Sequence, residues 1–224
     1  MTLRPVIFIV LFLLYSNLFA QNRFTVLIDP GHGGSNKGAV YGNLEEHELT
    51  LSIALKLKNL LAGKNINAVL TRTSDKEVPL KQRAELIESV KPDLFISIHF
   101  NSQSFLTTNR GFEIYYPGDD LSSDSGKMIK DYHRANCSFH YGSIFKELYL
   151  KSALFNTYKM SFNMFTQKHD LLIFDATTAP GLLLEAGYLT SPDDRACIEN
   201  SSFINDISHL IYEVLVKSSQ EKCY

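Results

Sequence analysis

Phe24-Thr25-Val26-Leu27-Ile28-Asp29-Pro30-Gly31-His32-Gly33-Gly34 begins as a short apolar, β-branched run and ends in a glycine-rich turn. Such a run reads as a strand, with Asp29-Pro30-Gly31 as the tight turn that stops it. Downstream, Leu49, Ile53, Leu57, Leu60 and Leu61 recur at helical spacing, which predicts an amphipathic helix near residues 45–62 with Gly63 as its stop. Ala68–Arg72 reads as a second strand, residues near 80–90 as a second helix ended by Lys91-Pro92, Leu94–Ile98 as a third strand and Phe112–Tyr116 as a fourth. Leu182–Leu184 reads as a fifth strand. Phe203, Ile204, Ile207, Leu210, Ile211, Val214 and Leu215 form the apolar stripe of a closing helix. Strands alternating with helices predict an α/β fold: one domain built on a mainly parallel, twisted sheet with helices on both faces. Runs such as Leu94-Phe95-Ile96-Ser97-Ile98, apolar without alternation, suit strands covered on both sides. Residues 119–169, rich in Ser, Tyr, Phe and Asn, are less legible and read as a possible insertion of one or two helices.

The first twenty residues form a separate object. Arg4 supplies a positive start, Val6–Tyr15 is almost wholly apolar, and Ala20 ends a plausible cleavage site before Gln21. These are signal-peptide proportions, too short to span a bilayer comfortably, with an uncleaved anchor as the alternative. The division expected is therefore residues 1–20 as signal peptide and 21–224 as one catalytic domain. Export across the inner membrane follows, to a periplasmic or extracellular site, with no stable membrane insertion after cleavage. The chain has 224 residues, 45% hydrophobic and 21% charged, which is enough to bury a core. Its formal charge of −2 gives no basic footprint for a nucleic-acid partner. Three cysteines, Cys137, Cys197 and Cys223, have no C-x-x-C spacing. An exported chain permits one bridge with one free thiol, or none.

Four residues stand where chemistry is expected. His32 follows the first strand among glycines that remove bulk and let an imidazole face a cleft. His99 follows the third strand, and in an open α/β sheet ligand sites lie beyond the carboxyl ends of strands. Taken singly, each is as easily a turn or core histidine. Among the three acids that open the first helix, angle separates the roles. At about 100° per residue the apolar stripe centres near 50° from Leu49, with Glu46 at about 60°, Glu45 at about −40° and Glu48 at about −100°. Glu46 therefore faces the sheet, where a carboxylate is costly unless paired or metal-bound, while Glu45 and Glu48 favour the positive helix end. Glu185 ends the fifth strand, poor placement for a structural ion pair but good placement for a general base whose pKa burial raises. Two imidazoles and a carboxylate that leave a fourth position open match a catalytic zinc site. His47, His133, His140, His169 and His209 have no comparable placement, and neither a G-x-S-x-G elbow nor a Walker loop is present.

Val26-Leu27-Ile28-Asp29-Pro30-Gly31-His32-Gly33-Gly34 resembles the opening motif of the zinc-dependent N-acetylmuramoyl-L-alanine amidases. The likeness continues in order through Asn43-Leu44-Glu45-Glu46, Thr71-Arg72-Thr73-Ser74-Asp75, Leu80-Lys81-Gln82-Arg83-Ala84, Ser97-Ile98-His99-Phe100-Asn101 and Pro180-Gly181-Leu182-Leu183-Leu184-Glu185-Ala186-Gly187-Tyr188. It departs at Ser191, where relatives often have Asn, and at Asp175, near which many are basic. The resemblance implies zinc held by His32, Glu46 and His99, and Glu185 as the catalytic acid/base. The reaction it implies is hydrolysis of the amide between N-acetylmuramic acid and L-alanine of the peptidoglycan stem peptide. A protein activator is a candidate partner, because some relatives shield the metal with an inserted helix. Glu147, the one acid between Tyr132 and His169, is a candidate blocking group on such a lid, against the simpler reading of a surface glutamate. A wall-binding protein with lost catalysis is disfavoured because all four positions keep the required chemistry. A zinc peptidase acting within the stem peptide is the remaining alternative.

Overall fold

The computed structural model describes residues 23–103, 109–118, 125–167 and 171–223. The proposed signal peptide and His169 lie outside the described residues. The strands are β1 (Phe24–Pro30), β2 (Val40–Tyr41), β3 (Leu44–Glu45), β4 (Ile66–Leu70), β5 (Leu94–Asn101), β6 (Phe112–Pro117), β7 (Phe162–Gln167) and β8 (Gly181–Tyr188). The helices are α1 (Glu46–Leu61), α2 (Leu80–Val90), α3 (Ser125–Tyr149), α4 (Ala153–Asn156), α5 (Leu172–Asp175), α6 (Pro192–Ile198) and α7 (Phe203–Gln220). Six strands form one sheet in the order β4-β1-β5-β8-β6-β7. The first four are mutually parallel; β6 runs antiparallel to β8, and β7 parallel to β6. The remaining two, β2 and β3, make a small antiparallel hairpin just ahead of α1.

Side chains alternate across the sheet, so each face has its own core. Val26, Ile28, Ile96, Ile98, Leu182 and Leu184 pack under α1, α3 and α7, where Ile53, Leu57, Phe145, Tyr149, Ile207, Ile211 and Val214 are buried. Full burial of a side chain of this kind is worth about 1.5–3 kcal/mol over exposure. Leu27, Phe95 and Leu183 point the other way, onto Ile87 of α2 and Ile173 and Phe174 of α5. Helices thus cover both faces of a mostly parallel sheet, as the sequence predicts.

Two differences have physical causes. The second strand covers Ile66–Leu70 rather than Ala68–Arg72: the Thr71 amide makes a last bond to the Ile28 carbonyl, and the Thr71 and Arg72 side chains turn to polar groups at the end of β1. In residues 119–169 the structure places not only the helices α3 and α4 but also β7, an edge strand of the main sheet. Cys137, Tyr141, Phe145 and Tyr149 of α3 are part of the main core. Cys137 is bonded to Cys223, and the Cys197 thiol is free and half-buried. This link joins α3 to the end of the chain beyond α7, across 86 residues of sequence.

The turn after β1 is held from beneath by buried polar groups. The Asp29 carboxylate, 2% exposed, accepts hydrogen bonds from the Thr71 and Ser97 hydroxyls at 2.6 and 2.8 Å and from the Arg83 guanidinium. Arg83 also donates to the carbonyls of Pro30 and His32, at 2.8 and 2.6 Å. Arg72, 1% exposed, donates to the carbonyls of Pro30, Gly31 and His47. Two cations thereby fix the three successive carbonyls of Pro30, Gly31 and His32, and Arg72 ties that turn to the start of α1.

Two outcomes are expected. Arg83→Met should destabilise the fold by about 3–5 kcal/mol, because it leaves the Asp29 charge buried without its partner. Adding Asp29→Asn to it should restore part of that loss. Urea unfolding of the single and double variants checks this, and an unchanged midpoint for Arg83→Met would contradict it. Reducing the Cys137–Cys223 bond should lower stability by about 2–4 kcal/mol. Unfolding with and without a reductant measures that difference.

Candidate functional site

At the carboxyl ends of β1 and β5, three side chains converge. His32 stands two residues past β1, His99 lies in β5, and Glu46 is the first residue of α1. Glu46 Oε1 lies 3.0 Å from His32 Nε2 and 2.9 Å from His99 Nδ1. One ligand atom from each residue lies within 4.8 Å of the other two, close enough for one metal ion to meet all three. The expectation that Glu46, not Glu45 or Glu48, faces the sheet holds: Glu46 is 3% exposed and Glu48 is on the surface. Glu45 turns to Lys37 and His47.

Local structure aims each donor. His32 has a left-handed backbone, with φ of 58°, a conformation uncommon outside glycine. The Arg83 contact to its carbonyl helps hold it. His32 Nδ1 meets Asn36 Oδ1 at 2.9 Å. An amide oxygen only accepts, so Nδ1 carries a proton, and Nε2 is the nitrogen turned to Glu46 and the centre. Gly31 and Gly38 leave room. A Cβ on Gly31 would sit 2.3 Å from the His99 ring, and one on Gly38 would sit 2.4 Å from Glu46 Oε2. Glu46 is also fastened by backbone amides, Ala39 N–H to Oε2 at 2.7 Å and Phe100 N–H to Oε1 at 3.0 Å. Burial raises the Glu46 pKa, but the hydrogen bonds and charges of His32 and His99 outweigh it and bring the carboxyl to about 2. For His32, burial lowers the pKa, the hydrogen bond and charge of Glu46 and the Asn36 hydrogen bond raise it, and the net shift is upward. A carboxylate that stays ionised beside two imidazoles suits a divalent cation.

Glu185 stands one strand away. Its Cα pairs with His99 of β5 on one side and Glu113 of β6 on the other. Its Oε2 is buried and has no hydrogen-bond partner among the described residues. Burial first, then the nearby Glu46 and Glu113 charges, pushes its carboxyl well above the usual range. A carboxyl raised in this way takes up and gives back a proton nearer neutral pH than a surface carboxylate does, which suits proton transfer. A cavity of about 370 Å³ opens beside the cluster, walled by His32, His99, Asn36, Val78, Pro79, Leu80 and Leu172. A larger one, about 840 Å³, lies at the opposite end of β1 between Phe24, Tyr212 and Val216, and contains none of these groups.

The sequence leaves two residues without the roles that the structure gives them, and for a third its simpler reading holds. His47, given no role, is 3% exposed, with Nε2 on Glu45 at 2.7 Å and Nδ1 on Asp75 at 2.8 Å. Asp75 in turn accepts the Gly34 amide. With both its nitrogens occupied, His47 is a brace between α1 and the glycine turn rather than a ligand. Glu113 has no motif of its own, and only the sheet register reveals it beside Glu185. Glu147 is not a blocking group: it is exposed on α3 and ion-paired with Lys151 at 2.8 Å and Lys217 of α7 at 2.6 Å. Those two lysines hold its carboxyl at about 2.

Comparison with known proteins agrees with this geometry. The profile of the N-acetylmuramoyl-L-alanine amidase family matches residues 26–217. The amidase CwlM of Bacillus licheniformis is 34% identical over 186 residues, which is 82% of this chain and 64% of that protein. The chain thus spans slightly under two thirds of that relative. The crystal structure of an N-acetylmuramoyl-L-alanine amidase from Clostridium difficile 630 superposes with a TM-score of 0.72 at 26% identity, covering 90% of this chain and 100% of that one. The CwlD amidase of Clostridioides difficile, solved in complex with the GerS lipoprotein, shares the fold with a TM-score of 0.71 at 20% identity, covering 88% and 98%. With the profile running from β1 into the closing helix, and with His32, Glu46, His99 and Glu185 gathered toward the carboxyl ends of the inner strands β1, β5 and β8, the chain belongs to the N-acetylmuramoyl-L-alanine amidase family.

Proposed function

We propose that this protein is a zinc-dependent amidase that hydrolyses the bond between N-acetylmuramic acid and L-alanine of the stem peptide in bacterial peptidoglycan. The observation that carries the reading is the convergence of His32 Nε2, His99 Nδ1 and Glu46 Oε1, with Glu185 one strand away and its buried Oε2 without a partner among the described residues. Two imidazole nitrogens and one carboxylate oxygen form a donor set that suits zinc and leaves a position open. Zinc bound there would supply Lewis-acid polarisation of the scissile carbonyl and of water. Glu185 takes the proton from the attacking water as the new C–O bond forms. It then delivers that proton to the amide nitrogen as the C–N bond breaks, so the alanine leaves as a free amine. Asn36 keeps the His32 tautomer fixed, and Leu80 and Leu172 wall the cleft beside the cluster.

The site of action in this reading is outside the cytoplasm, with peptidoglycan as the macromolecular partner and the periplasm as the location. The signal-like residues 1–20 and the Cys137–Cys223 bond support it, since disulfides persist in oxidising compartments. Among the described residues no helix is long and apolar enough to cross a membrane. A protein activator is part of the proposal, because a protein of the same fold was solved with a lipoprotein bound. Glu147 has no part in it.

Mass spectrometry of purified sacculi after digestion tests the reading. The expected products are peptides with a free N-terminal alanine and glycans with intact lactyl groups, and a chelator should abolish both. Cleavage within the stem peptide would instead identify a peptidase. His32→Ala, Glu46→Ala and His99→Ala should each lose most bound metal, while Glu45→Ala and Glu48→Ala keep it. Glu185→Gln should keep the metal and lose about 10²–10⁴ in rate. Loss of metal from Glu185→Gln would make that residue a ligand instead.

A further inference from the structure

Glu113 is a buried carboxylate, 7% exposed, that takes no direct part in the reaction above. It lies in β6 as the Cα partner of Glu185, which pairs in turn with His99, so the three residues form one row across three strands. Glu113 Oε1 accepts the Tyr188 hydroxyl at 2.9 Å. Its Oε2 accepts the Tyr115 hydroxyl at 2.8 Å and the Asn101 amide at 3.3 Å. Burial first, then the Glu113 hydrogen bond, raises both phenols, so each remains a donor.

Two of these partners occupy particular places. Asn101 is two residues beyond His99, and Tyr188 is three beyond Glu185. They pair with each other across β5 and β8, just past a register shift between His99 and Asn101. At such an irregularity the ladder is locally disrupted, and backbone hydrogen bonding alone holds the strand ends less firmly. Glu113 reaches both ends from the neighbouring strand. A buried charge is a poor choice for stability alone, where an apolar residue of similar size commonly does as well or better.

We propose that Glu113 is a positioning residue: by tying Asn101 at the end of β5 to Tyr188 at the end of β8, it fixes the Glu185 carboxyl relative to the metal ligand His99. The proposal rests on the functional reading in which Glu185 transfers the proton. A misplacement of about 1 Å at a reacting group can cost ~10² in rate.

Glu113→Ala and Glu113→Gln, compared on the metal-loaded enzyme, test it. Glutamine can keep every contact: its oxygen accepts from Tyr115 and Asn101, and its amide donates to the Tyr188 oxygen. It therefore removes the charge and preserves the ties. Glu113→Ala is expected to lose about 10–10²-fold in kcat, with KM and metal content unchanged, and Glu113→Gln to stay close to wild type. Full kcat in Glu113→Ala, a loss of metal, or a loss that only tracks the unfolded fraction would overturn the proposal. So would a Glu113→Gln as impaired as Glu113→Ala, which would make charge rather than placement the operative property. Should Glu113→Ala fail to fold, Tyr188→Phe removes one tie and keeps the ring: a lower kcat at constant metal content supports the proposal, and full kcat overturns it. Glu185→Gln in the same assay separates the two levels. If it is fully active, the functional reading fails. If it is inactive while Glu113→Ala matches wild type, only the positioning role fails.

Discussion

A carboxylate shut away from water must have its lone pairs bonded, and Glu46 meets that demand in a way that organises the carboxyl ends of β1 and β5. Its two oxygens take the Ala39 and Phe100 amides and face His32 and His99. Those contacts link the hairpin before α1, the turn after β1 and the end of β5. Further polar groups support that convergence. Arg83 and Arg72 hold the carbonyls of the turn that carries His32, Asp29 balances Arg83 beneath it, and His47 braces α1 through Glu45 and Asp75. Remove the Glu46 carboxylate and the three segments lose their common anchor.

Ion pairs of this kind add little to net stability, because desolvation offsets much of their attraction. They give geometry instead. The stability of the fold comes from the two cores on either face of the sheet, and the polar groups are concentrated where the chain must adopt shapes that packing alone does not select. The left-handed His32 is the clearest case, since Arg83 of α2 bonds its carbonyl and Asn36, four residues on, bonds its ring.

What could be read in the sequence follows the same division. Strands β1, β5, β6 and β8 and helices α1, α2 and α7 were legible because apolar runs and helical stripes report burial directly. The angular position of Glu46 against Leu49, Ile53 and Leu57 was enough to separate it from Glu45 and Glu48. Residues 119–169 were not legible in that way. Their aromatics serve opposite ends, with Tyr141 and Tyr149 in the core while Tyr132 and Phe139 are on the surface, so α3 shows no clean stripe. The edge strand β7 has Asn163 and Phe165 outward, and nothing local marks it as part of the sheet. His47 and Glu113 escaped notice because each has a decisive partner distant in sequence: Asp75 lies 28 residues from His47, and Tyr188 lies 75 from Glu113. Periodicity carries no information about contacts of that range.

The central claim is that two imidazoles and one carboxylate, gathered from β1, β5 and α1, form a single zinc centre with an open position. X-ray absorption at the zinc edge, on protein loaded with one equivalent of metal, tests it most directly. The account predicts two imidazole nitrogens at about 2.0–2.1 Å, with oxygen completing the shell and no sulfur. A sulfur neighbour near about 2.3 Å, or a single imidazole, would contradict it.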